Sequence, residues 1–156
     1  MSTAAHTAHA GLGARITNGV IAGVVGGVVF GMLMAMMMAD MLPMIGMLIG
    51  VENAFVGFLV HLVNSAVIGA IFGLIAWGFA SNIAATLGAG MMYGVAWWVL
   101  GALIVMPLWL SVTADPKMSD MVFKVGSDQW LSLMGHVIFG VVAAAVLYGL
   151  RRRIRS

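Results

Sequence analysis

Two histidines set inside long apolar runs, His61 and His136, are the residues of this chain best placed to do chemistry. An ionisable side chain within a membrane-crossing segment is costly and by default marks a functional position. Each lies about seven residues into its run from the same side, which at ~1.5 Å of helical rise per residue is roughly 10 Å deep. Small residues flank both at four-residue spacing, so both should face protein and not lipid. Two imidazoles at one depth can ligate a haem iron from opposite faces, bind copper or zinc with a further ligand, or pass protons. They can equally stay neutral and hydrogen-bond across a helix interface, to Asn64, Ser65 or Ser132.

Methionine is the second resource, fifteen residues in all. Met32, Met34, Met36, Met37, Met38, Met41, Met44 and Met47 crowd one stretch. Thioethers are soft ligands suited to Cu(I), and Met38, Met41 and Met44, near Asp40 and toward His61, would make a copper site. Methionine is also a flexible apolar filler, and successive positions such as Met36, Met37 and Met38 point to different sides of a helix. A real site would select one face.

Other chemistry is excluded or unsupported. With no cysteine there are no disulfides, thiolate nucleophiles, thiolate zinc sites or iron–sulfur clusters. The chain has no Walker motif, metalloprotease motif or nucleophile elbow, and no paired carboxylates inside an apolar run. No catalytic residue is assigned, and a non-enzyme is expected. His6 and His9 belong to residues 1–15, small and polar and expected to be a loose tail.

The elements that must position the histidines follow from composition. The chain has 156 residues, 63% hydrophobic and 8% charged, against about 25% charged in a soluble domain. From Asn53 to Ala114 there is not one Asp, Glu, Lys or Arg. A bilayer core ~30 Å thick takes ~20 apolar residues as a helix, so this stretch is two spans with a turn between them. Ser81, Asn82 and Thr86 mark that turn. Lipid leaves backbone amides unsatisfied, and the short alternating segments of a barrel are missing, so the expected fold is all-α. It is an integral membrane protein, a four-transmembrane-helix bundle forming one domain over 16–150. The spans are predicted near 16–39, 54–79, 84–110 and 129–150. Met44 to Val51 is too short to cross and should lie at the interface, and Ser111 to Asp128 reads as an exposed loop.

Charge sets the orientation. Arg15, Arg151, Arg152, Arg153 and Arg155 fall on one side, Lys117 and Lys124 on the other. By the positive-inside rule both termini, including the basic segment 151–156, are cytoplasmic, and the location is the inner (plasma) membrane of the cell. The arginines can meet anionic lipid headgroups, and nothing points to nucleic acid. Trp77, Trp97, Trp109, Trp130 and Tyr148 fall near span ends, where such rings anchor, while Trp98 is deeper.

Helices associate in lipid by close backbone approach at small residues spaced four apart. Each span carries such a row: Gly19, Gly23, Gly27 and Gly31; Gly57, Ser65, Gly69 and Gly73 around His61; Gly90 and Gly94; Gly140 and Ala144 after His136. Gly27 and Gly31 precede Pro43 much as Gly90 and Gly94 precede Pro107. Spans two and four each set a histidine among small residues. Two repeated helical hairpins of the same orientation would produce this, with a pseudo-twofold axis along the membrane normal.

Tyr93, Gly94, Trp97, Trp98, Met106 and Pro107, with His136 opening the last helix, form a Tyr-Gly…Trp…Met-Pro pattern. In this the chain resembles small uncharacterised prokaryotic four-span inner-membrane proteins with Gly-rich helices. That resemblance implies the same four-span fold and supplies no catalytic residues.

The leading expectation is a non-enzymatic membrane protein packing through its Gly-rich faces, as a homo-oligomer or as an accessory subunit of a larger membrane complex. The alternatives are a haem- or copper-binding module on His61 and His136, and a small transporter or channel past Asn18, His61, Asn64 and His136.

Overall fold

The computed structural model describes residues 11–155, so His6, His9 and most of the tail lie outside it, as does the side chain of Arg155. Helix is the only regular secondary structure among the described residues, and four helices are long and apolar enough to cross a membrane.

Span 1 is Leu12–Met37, beginning at Leu12 and not Ile16 because Leu12, Gly13 and Ala14 extend the helix without interruption. It stops at Met38, whose backbone leaves the helical region. A short helix, Met41–Gly46, and one tighter turn, Met47–Ile49, follow and fold back. Pro43 is tolerated in the first turn, where its missing N–H has no intrahelical partner to lose. Gly50, at φ +79°, ends the turn in the left-handed region open to glycine. This segment lies against the start of span 2, with Gly57 directly under the Leu42 carbonyl.

Span 2 is Ala54–Ala76, capped by Asn53, whose side chain accepts from the amides of Phe55 (2.9 Å) and Val56 (3.1 Å). The turn to span 3 is therefore earlier than 79. Asn82 caps span 3 by accepting from the Ala85 amide at 3.1 Å, and Thr86 is inside the helix, its hydroxyl donating to the Asn82 carbonyl at 2.6 Å.

Span 3, Ile83–Thr113, is not uniform. It is α-helical to Trp97, π-helical over Trp98–Val105, and α-helical again from Met106. Pro107 explains the distortion: it has no amide to give and its ring crowds the carbonyl of Leu103. Span 4 is Ser127–Arg155, with Gln129 accepting from the Gly126 amide at 2.9 Å.

Span 1 packs along both span 2 and span 4, and span 3 packs along span 4, so the spatial order is 2–1–4–3. Among consecutive spans, 2 and 3 touch least. The small-residue rows decide these pairings. A Cβ on Gly69 would collide with the Gly19 carbonyl and Gly23, one on Gly73 with Gly19, and one on Gly27 with Ser65. On the other side Gly90 lies against Gly140 and Ala144, and Gly94 against the His136 carbonyl. The rows are thus occupied within one chain. Leu100, Val63, Met92 and Val112 are exposed on the outer surface, as a lipid-facing surface requires.

Candidate ligand cavity between the second and third spans

Because spans 2 and 3 diverge, a cavity of about 650 Å³ opens between them toward the Asp40 end of the bundle. Span 2 contributes His61, Asn64, Ser65 and Ile68; span 3 contributes Trp97, Ala102, Met106 and Pro107. Phe30 and Met34 of span 1 and Ser132, His136 and Phe139 of span 4 form its inner wall. Toward the Arg151 end no lining residue lies beyond Ile68, Trp97 and Phe139. There Tyr93 joins the two spans: its hydroxyl donates to the Ile68 carbonyl at 2.6 Å and its ring lies 4.9 Å from that of Phe72. The cavity is blind at that level.

His61 and His136 both line this space. His61 is buried and its Nε2 is 3.0 Å from the Gly27 carbonyl oxygen. His136 is half-buried and its Nδ1 is 2.8 Å from the Ser132 carbonyl oxygen on its own helix. A carbonyl oxygen only accepts, so those nitrogens carry the proton in the neutral rings. The other nitrogens, Nδ1 of His61 and Nε2 of His136, are then bare acceptors. Among the described residues no group bonds either of them.

The phenyl ring of Phe30 packs edge-on against both imidazoles, 5.2 Å from His61 and 4.8 Å from His136. It reaches this position because Gly135 of span 4 leaves room beneath it, and Phe139 lies in turn over Gly26. A haem held between the two histidines does not fit this arrangement, since the phenyl ring occupies the space against both. Of the four residues expected to border a transport path, His61, Asn64 and His136 line this cavity and Asn18 does not.

The methionines sort cleanly. Met41 and Met44 line the cavity, joined by Met34, Met106, Met118 and Met121. Met38 does not; it is buried in the cluster of Phe30, Met34, Leu42, Ile45 and Phe139. Met32, Met36 and Met37 are exposed on the outer surface.

The mouth is made by the fold-back segment and the loop after span 3. Trp109 donates from Nε1 to the Leu48 carbonyl at 2.8 Å, and Trp98 from Nε1 to the Gln129 carbonyl at 3.0 Å. Lys124 and Asp128 stand among the lining residues there. At the opposite end Trp77 is buried and not at a surface, with the Arg151 guanidinium 5.6 Å from its ring centre, and Arg152 lies over Tyr148 at 5.8 Å. Arg15 is half-buried, its carbonyl against Gly73, and Arg153 is exposed.

Sequence reasoning missed Phe30, Gly26, Gly135 and the π-helical segment. Phe30 had a signal, being the lone aromatic residue of a glycine-rich span. Pro107 in the middle of an apolar run was the signal for the distortion. Comparison of the chain with family models, curated proteins and solved structures returns no match.

Proposed function

We propose that this chain is a non-enzymatic four-span protein of the plasma membrane, both termini cytoplasmic, which holds a small ligand in the cavity between spans 2 and 3. The placement of the basic residues supports the orientation, which puts the mouth at the outer face. The observation that carries the reading is the cavity itself. It is of ligand size, largely apolar, and lined by two histidines, each with one ring nitrogen that no described residue bonds. Its blind end favours binding over conduction. Homo-oligomers or a larger complex would have to be built on the outward faces, since the glycine rows are occupied inside the chain.

The pairings also support two repeated hairpins. Gly31 meets the His61 ring and Gly27 meets Ser65; Gly94 meets His136 and Gly90 meets Gly140 at the matching positions.

The test uses para-bromophenol, an apolar hydroxyl donor whose heavy atom quenches indole fluorescence, with the full chain in nanodiscs. Trp97 lines the cavity, so quenching should be saturable, and filling the space with Ala102→Leu should weaken it. The outward-facing Ala96→Leu should not. Quenching that rises linearly with probe, unchanged by Ala102→Leu, would overturn the reading.

A further inference from the structure

We propose that the ligand of this cavity is a soft monovalent metal ion, Cu(I) or its stable mimic Ag(I), held by methionine thioethers with an imidazole nitrogen. This rests on the cavity reading and names the class of its occupant.

Six methionines from four separate stretches of chain line one space: Met34 from span 1, Met41 and Met44 from the fold-back helix, Met106 from span 3, Met118 and Met121 from the loop. The methionine-rich stretch is divided by this geometry. Met34 is 3% exposed to the surroundings, whereas Met36 is 81% exposed and Met32 is 58% exposed. Met34 belongs to a packed cluster with Phe30 and Phe139, and Met41 and Met106 pack on that cluster, so these three form the inner set. Met118 and Met121, in the exposed loop, stand at the mouth.

The donor chemistry selects the metal. Thioethers are neutral at every pH and soft, and prefer Cu(I) to hard divalent ions. Imidazole nitrogen is also a good ligand for copper, and each histidine is already turned by its carbonyl partner so that its bare nitrogen remains available. Among the described residues no group of three His, Cys, Asp or Glu could hold a harder ion. Lys124 and Asp128 together leave the rim without the net positive charge that would turn a cation away.

The experiment titrates Ag(I), and Cu(I) under ascorbate with a competing chelator, into the full chain in nanodiscs, with Zn(II) in parallel. The expected result is saturable Ag(I) and Cu(I) binding, sulfur neighbours in the silver X-ray absorption spectrum, and no comparable Zn(II) binding. Met34→Leu/Met41→Leu/Met106→Leu keeps the cavity apolar. It should lower Ag(I) affinity by at least about tenfold, the lower end of what loss of even an outer-shell partner costs a metal site. The same variant should retain saturable quenching by para-bromophenol. His6→Ala/His9→Ala should bind Ag(I) as the parent does. No saturable Ag(I) binding, binding unchanged by the triple substitution, or binding that follows His6 and His9 overturns the proposal. If bromophenol still saturates in those cases, the cavity reading stands and only the metal is wrong; if neither probe saturates, both fall.

Discussion

The main-chain carbonyl of Leu103 accepts a hydrogen bond from the amide of Phe123 at 3.2 Å, tying the loop after span 3 to the middle of that span. In an unbroken α-helix the Leu103 carbonyl would serve the amide four residues on, which here is Pro107 and has no N–H. Phe123 reaches it at φ +57°, a left-handed conformation uncommon outside glycine. One proline thus both distorts span 3 beside the cavity and supplies the acceptor that holds the loop over its mouth.

Replacing Pro107 with alanine restores an amide that competes for that carbonyl. Hydrogen exchange at the Phe123 amide should become faster by the loss of one bond, on the order of fivefold or more for ~1 kcal/mol. Exchange at Asn53-capped residues such as Phe55 should not change. Unaltered protection at Phe123 would show that the proline does not control the loop.

The glycine contacts predict opposite outcomes for two similar substitutions. Gly69→Leu forces apart spans 1 and 2 at Gly19 and Gly23, and should destabilise the protein by about 1–3 kcal/mol or more, the cost of overpacking. Gly88→Ala has open space at its Cβ and should be neutral or stabilising by up to ~1 kcal/mol from helix propensity. Unfolding in mixed detergent micelles measures both; equal effects would contradict the row-to-row packing.

The two histidines should differ in structural importance. His61 bonds a carbonyl on another span, so His61→Leu leaves the buried Gly27 carbonyl without that donor and should cost about 1 kcal/mol, as interhelical bonds in membranes do. His136 bonds a carbonyl of its own helix, and His136→Leu should cost less. The same unfolding assay decides the order, and a larger loss at His136 would go against it.

Orientation is testable directly, because the chain has no cysteine. Ser119→Cys should react with an impermeant maleimide added outside intact cells, and Gly78→Cys, in the turn between spans 2 and 3, only after permeabilisation. The reverse pattern would place both termini outside.

How much of this was legible in the residues depends on whether a feature is local. Apolar run lengths show four spans, because crossing a bilayer is a matter of length and composition along one segment. Asn53 and Asn82 mark helix starts by their own side-chain chemistry. The spacing of Gly19, Gly23 and Gly27 and of Ser65, Gly69 and Gly73 identifies contact faces, since the helical period is local too.

The partner of each face is not local. Rows of small residues look alike in sequence, and only the assembled bundle decides that span 1 meets both span 2 and span 4 while spans 2 and 3 separate. That separation creates the cavity that Met34, Met41 and Met106 line, while the packing of span 1 on spans 2 and 4 seats Phe30 against both imidazoles. Sequence therefore determined which faces can approach. Tertiary structure alone decided where they do not, because a void is defined by contacts between segments far apart in the chain.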